Sequence, residues 1–280
     1  ITLTHYGYVK RTVSSVYKIQ HRGGRGVTGL QTREEDFVKY ILTASTHDFI
    51  MFFTDKGRVY RLKGYQIPES GRQAKGSAVV NLLPIEKDEK ITAMIPVRHF
   101  EDDKYLIMCT RKGIIKKTAL KDYDTNRKGG LIAISLDEDD VLIKVERTNG
   151  NDDIFIGTHD GMAIRFKESD VRAQGRVTRG VKSITLRTGD YVVGMAVSKP
   201  GEELLSVSEK GYGKRTSFDE YRMQSRAGMG TINYKCSEST GKIAGIDSIS
   251  EDEDIIIITS EGIIIRIAAS DVRSIGRSTK

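Results

Sequence analysis

The stretch Phe49-Ile50-Met51-Phe52-Phe53-Thr54-Asp55-Lys56-Gly57-Arg58-Val59-Tyr60-Arg61 decides the fold. An apolar run enters Thr-x-x-Gly, a turn whose glycine takes positive φ, and a second strand leaves it. That is a β-hairpin, and its turn recurs. The relatives are Thr4-His5-Tyr6-Gly7, Thr110-Arg111-Lys112-Gly113, Thr158-His159-Asp160-Gly161, Ser208-Glu209-Lys210-Gly211 and Thr259-Ser260-Glu261-Gly262. The glycines at 7, 57, 113, 161, 211 and 262 are spaced by 50, 56, 48, 50 and 51 residues.

The repeat extends well past the turn. Four residues after each glycine is a basic residue: Arg11, Arg61, Lys117, Arg165, Arg215 and Arg266. Ten residues after it is an apolar or aromatic one: Tyr17, Ile67, Tyr123, Val171, Tyr221 and Val272. Fifteen residues after it stands Arg22, Arg72, Arg176, Arg226 or Arg277, with Arg127 nearby in a shorter third loop. Nineteen residues after it comes Gly26, Gly76, Gly180 or Gly230. Alternation in Met162–Phe166 predicts the second hairpin strand, and Val79–Leu83 and Ile91–Ile95 predict further strands. Four strands in about 50 residues is the size of a propeller blade. A β-solenoid rung is shorter, so radial closure is the better reading. The expectation is an all-β chain, a single domain over residues 1–280, with six repeats of which the last is incomplete. No 3.6-residue apolar stripe longer than two turns persists.

Composition narrows the function. The 280 residues hold 45 Lys and Arg against 38 Asp and Glu, a net charge of +7. A basic balance favours an anionic partner. No apolar run approaches the length of a membrane span, and no secretory leader pattern opens the chain. Two cysteines, Cys109 and Cys236, make neither a zinc site nor a disulfide framework, which fits a reducing, cytoplasmic setting. Five histidines are scattered without metal-ligand spacing, and no G-x-S-x-G elbow is present. Gly24–Gly29 spells G-x-G-x-x-G but has no βαβ unit around it, and Gly211-Tyr212-Gly213-Lys214 is only part of a P-loop. The acidic runs Asp137–Asp140 and Glu251–Asp254 read as solvated turns. Nothing resembles a catalytic centre, and no metal or other cofactor is expected.

The recurrent arginines form the candidate site. Arranged radially, one arginine per blade becomes a ring of positive charge, with a glycine beside it where backbone N–H groups can approach an anion. The residues are Arg72, Arg127, Arg176, Arg226 and Arg277, together with Lys75, Lys128 and Arg179 in the same loops. For the basic residue four after the turn, two readings stand: an anion contact, or a partner for carboxylates of the blade. The loop Gln20-His21-Arg22-Gly23-Gly24-Arg25-Gly26 places Arg22 and Gly26 on the repeat's own arginine and glycine positions.

That loop resembles the heptapeptide Q-R-R-G-G-[RK]-G of the C-terminal domains of DNA gyrase A subunits, with His21 in place of the first arginine. Gly57-Arg58-Val59-Tyr60, Val80-Asn81-Leu82-Leu83-Pro84, Arg165-Phe166-Lys167-Glu168-Ser169 and Gly211–Thr216 are also similar to family segments. The resemblance covers essentially the whole chain. It implies a six-bladed β-pinwheel whose neighbouring blades exchange strands. It also implies a monomeric, non-catalytic domain with duplex DNA wrapped on its basic rim. In the family the nucleophilic tyrosine lies elsewhere in the gyrase A polypeptide. The gyrase B polypeptide holds ATP, used with Mg, and the assembly introduces negative supercoils. The related topoisomerase IV domain lacks the heptapeptide or carries a degraded form. A protein-binding propeller is the reading from another class, although without tryptophan no Trp-Asp repeat is possible.

Overall fold

A computed structural model describes residues 1–16, 36–127, 129–260 and 263–279. Among these residues the chain is strands joined by 3-10 turns of three or four residues, with no α-helix. The second blade shows the plan. Phe49–Thr54 and Arg58–Lys63 form the hairpin, and Ile91–Val97 pairs with the first of these strands. Leu131–Ile132, from the following repeat, pairs with Arg58 and Val59. The third blade takes Val181–Lys182 and the fourth takes Thr231–Ile232 in the same way, and the first takes Ser77–Ala78. Neighbouring blades therefore exchange strands. Four sheets have four strands, the fifth has three, and the sixth is the hairpin Asp254–Ile258 with Ile264–Ala268.

The long strands Ile91–Val97, Leu142–Thr148, Val192–Ser198 and Ile243–Ile249 pack against one another in turn. They lie innermost, so the exchanged two-residue strands at the opposite sheet edge are outermost. Because each inner sheet is sandwiched between two others, its central strand is apolar on both faces, whereas Ile256 and Ile265 of the sixth hairpin are exposed. Ile50 and Phe52 pack toward Leu3 and Val9 of the first blade, whereas Met51 and Phe53 pack toward Leu106 and Met108 of the third. Packing on both faces explains the unbroken apolar run from Phe49 to Phe53. The core is a series of such layers between blades.

The turn motif has an identifiable chemistry. The hydroxyl of Thr4, Thr54, Thr110, Thr158, Ser208 or Thr259 accepts a hydrogen bond from the backbone N–H four residues on. Gly57 has φ +75, and a Cβ there would stand 2.5 Å from the Ile134 carbonyl oxygen. The residue ten after the turn glycine seals the layer: Ile67, Tyr123, Val171 and Tyr221 are all essentially buried.

One expected strand is different. Val79–Asn81 is a 3-10 turn, and the strand is only Ser77–Ala78. The Val79 N–H donates to Gly7, and the N–H groups of Leu82 and Leu83 fold back onto the Val79 carbonyl. The β-branched pair at 79 and 80 suggested a strand, but burying Val79 and Leu83 between two blades requires the chain to turn inward.

Candidate nucleic-acid interface

In the second, fourth, fifth and sixth repeats a 3-10 turn after the hairpin carries the chain to the boundary between blades, where it runs along the outer side of the preceding blade. Gln174 N–H donates to the Lys117 carbonyl and Gln224 N–H to the Arg165 carbonyl, and Ser70 and Ile275 bond in the same way to Arg11 and Arg215. The chain then reverses and adds the outermost strand. Gly180, with φ +94, makes this reversal in the fourth repeat, and a Cβ there would lie 2.5 Å from the Ile115 carbonyl oxygen. Gly76 and Gly230 do the same against Val9 and Ala163. The glycine nineteen after the turn thus has a steric role, letting a neighbouring blade's backbone approach.

The predicted arginines sit on these reversing loops. Arg127 is exposed, and Arg72, Arg176, Arg226 and Arg277 are half-buried. Arg72 and Arg176 form no ion pair among the described residues. The guanidinium of Arg226 donates to the carbonyls of Asp170 and Lys182, at 3.2 and 3.1 Å, and that of Arg277 donates to the Ile232 carbonyl. The Lys75 ammonium stands 3.6 Å from the centre of the Tyr8 ring. Arg179 is paired with Asp137 through two 2.6 Å hydrogen bonds, which hold the Asp137 carboxyl below its ordinary pKa. Both groups are largely exposed, so solvent screens the pair and it is worth little. Gln20, His21, Arg22, Gly23, Gly24, Arg25 and Gly26 lie outside the described residues, as does Lys128. Loops 71–76, 125–130, 175–180, 225–230 and 276–280 contain no Asp or Glu, and neither does 20–26.

The other basic position is internal. Arg165 bonds to the Asp153 carboxylate at 2.6 Å and to the Phe218 and Tyr221 carbonyls. Arg215 pairs with Glu203 and donates to the Val272 carbonyl, and Arg11 pairs with Glu69 and donates to the Ile67 carbonyl. Each fastens its hairpin to the 3-10 turn of the next repeat. Of the two readings left open, the structural partner is the one these contacts support.

Sequence reasoning missed two groups. Three wholly buried lysines, Lys10, Lys116 and Lys214, lie beneath loops of the rim. They occur in alternate repeats only, so a search for invariant positions passes over them. On the turn face, His159, Asp160 and Asp190 bring ligand-type atoms within 4.8 Å of one another, a grouping hidden because Asp190 comes from a later loop. Its atoms are already engaged. Asp160 accepts from the Lys242 ammonium, Asp190 accepts from two backbone N–H groups, and His159 contacts Glu209 at 2.7 Å. The run Asp137–Asp140 is not wholly solvated either: Asp140 is buried and accepts from the Lys112 and Val141 N–H groups.

Known proteins show the same architecture. The family described as DNA gyrase C-terminal domain, beta-propeller, matches six successive segments, 1–45, 48–98, 104–149, 152–199, 202–250 and 253–280. The DNA gyrase A polypeptide of Staphylococcus aureus is 47% identical over 283 residues, covering 100% of this chain and 32% of the relative. The chain therefore spans about a third of the length of the curated relatives it matches. A solved DNA gyrase A C-terminal domain superposes with TM-score 0.85 at 28% identity, covering 99% of this chain and 92% of that one. The C-terminal domain of a DNA topoisomerase IV superposes with TM-score 0.82, also at 28%, covering 100% and 86%. Six tandem matches that follow the repeats, at this level of identity, place the chain in the family of DNA gyrase C-terminal β-propeller domains.

Proposed function

We propose that the chain binds duplex DNA without sequence preference and wraps it around its rim, as the wrapping domain of a gyrase. The observation that carries this reading is the set of rim loops. Every repeat carries a basic, acid-free loop, and in the second to fifth repeats that loop leads directly into the outermost strand of the preceding blade. Such loops meet a bent phosphate backbone at regular intervals. Bending about 40 bp through 180° costs on the order of 10 kcal/mol, for a persistence length of ~50 nm. One loop cannot offset that, whereas contacts from several blades can. No recognition helix projects from the described residues, consistent with backbone contact rather than base readout. Gyrase rather than topoisomerase IV is favoured by the heptapeptide at Gln20–Gly26 and by the 47% identity to a gyrase A polypeptide.

On this reading the chain is a non-catalytic part of gyrase A. It works with the remainder of that polypeptide and with gyrase B on the bacterial chromosome in the cytoplasm. It acts as a single copy and needs neither ATP nor Mg to bind. No helix of the described residues is long and apolar enough to cross a membrane. The test is duplex binding in EDTA across a salt series. With at least six phosphates neutralised, log K falls against log salt with a slope of about −5 or steeper, roughly a thousandfold between 50 and 200 mM. Relaxing a nicked, then ligated, plasmid with the chain bound leaves a shift in linking number. A flat salt response, or an unshifted linking number, overturns the reading.

A further inference from the structure

Three lysines occupy one position in alternate repeats, three residues after the turn glycine: Lys10, Lys116 and Lys214. The intervening repeats have Tyr60 and Ile164 there. All three lysine side chains are wholly inaccessible to solvent. Each points from the second hairpin strand beneath the reversing loop of the next repeat. Lys10 Nζ donates to the carbonyls of Gly71, Arg72 and Ala74 at 3.1, 2.5 and 3.0 Å. Lys214 Nζ donates to those of Gly276, Arg277 and Thr279 at 3.1, 2.7 and 3.1 Å. Lys116 Nζ donates to Ala133 and Arg176. In every case one acceptor is the carbonyl of the rim arginine itself. The carbonyls of Arg72, Ala74, Ala133, Arg176 and Arg277 accept no other hydrogen bond among the described residues, so an apolar side chain would leave them unsatisfied.

The fourth blade shows what happens without the lysine. Ile164 is buried at that position, and the loop above it is tied instead by the Arg226 guanidinium, which bonds to Asp170 and Lys182. Above Lys10 and Lys116, Arg72 and Arg176 make no such bond among the described residues. Above Lys214, Arg277 keeps one, to Ile232.

We infer that Lys10, Lys116 and Lys214 are positioning residues that hold the rim loops from beneath, so that Arg72 and Arg176 are left available to an anion. The DNA part of this inference rests on the proposed function; the clamping does not. On this basis the rim loops differ: those of Arg72 and Arg176 are clamped from beneath with the guanidinium left unbonded, that of Arg226 is self-tied, and that of Arg277 is both.

The test compares Lys116→Met, Lys116→Gln, the triple Lys10→Met/Lys116→Met/Lys214→Met variant and Arg176→Ala in the full chain. Amide hydrogen exchange is read without DNA. Binding to a 40-bp duplex is read across a salt series. Lys116→Met is expected to speed exchange at 174–180 by tenfold or more. Lys116→Gln, which still offers two N–H donors, restores most of the protection, and Arg176→Ala leaves it unchanged. In binding, the triple variant weakens affinity by about tenfold at unchanged salt slope, because the lysines touch no phosphate. Arg176→Ala makes the slope shallower by about 0.9, one phosphate contact. Unchanged exchange in Lys116→Met overturns the clamp, and so does a slope that drops by about one per lysine replaced. If the wild-type chain does not bind the duplex, the proposed function fails while the exchange arm still decides the clamp. If Lys116→Met does not fold, the contrast between Lys116→Gln and Lys116→Arg, whose planar guanidinium misfits the carbonyl pair, decides it.

Discussion

A lysine without solvent must lose either its charge or its hydration. Burial, reinforced by the nearby Arg176, pushes Lys116 down to about 7, with Asp122 opposing weakly. The unfolded chain titrates this group near 10.4. Below pH 7 the ammonium is present in both states and the full penalty of burying it is felt. Between pH 7 and about 10 the unfolded chain holds a proton that the folded chain has released, so stability rises with pH. The slope is at most about 1.4 kcal/mol per pH unit for one group. Urea unfolding of wild type and Lys116→Met at pH 6, 7.5 and 9 should show the wild type gaining on the variant as pH rises; a constant difference would contradict it. A single sequence reveals little of this. Lys116 follows two isoleucines in a short strand, and alternation leaves its direction open until the neighbouring blade is in place. Asp140 is similar, since the run around it reads as solvent-facing while its own carboxylate accepts two turn N–H groups.

At the scale of the element, the outermost strand depends on its reversing glycine. Gly180→Ala puts a Cβ against the Ile115 carbonyl at a left-handed φ and should destabilise by about 2–3 kcal/mol. Gly175→Ala, in the same loop with nothing within 4 Å of its Cβ position, should stay within about 0.5 kcal/mol. Equal effects of the two substitutions in denaturant titrations would remove the steric account. The hairpins were readable because Thr-x-x-Gly carries its whole chemistry within eight residues. The buried residue at plus ten was readable because the second to fifth copies, Ile67, Tyr123, Val171 and Tyr221, fill the same kind of space between blades. The exchanged strand was not readable from periodicity: two residues are too few to show alternation, and their partner lies a full repeat earlier. It entered through the family resemblance, whereas the position of the heptapeptide follows from the repeat's own spacing.

For the whole molecule, the heptapeptide is the first repeat's counterpart of the arginine loops, by the spacing of Arg22 and Gly26 from Gly7. On the proposed function, a wrap fastened at the first repeat would determine where the following DNA segment arrives. The remaining loops supply most of the rim charge. Arg22→Ala/Arg25→Ala should therefore weaken duplex binding by no more than a few kcal/mol, each arginine being one charge-assisted contact. A reconstituted holoenzyme carrying the pair should still relax and decatenate DNA but lose negative supercoiling. Normal supercoiling by that variant would shift the role to Arg72, Arg176, Arg226 and Arg277. The exchanged strands also have a mechanical consequence for such a wrap. A bent duplex recoils outward and pulls on the loops that hold it. Each outermost strand is hydrogen-bonded to one blade and covalently continuous with the next. A radial tug at any of the four loops that lead into these strands is thereby turned into tangential tension shared by two blades, as neighbouring staves share a load, and no single one of these sheets has to resist the recoil by itself.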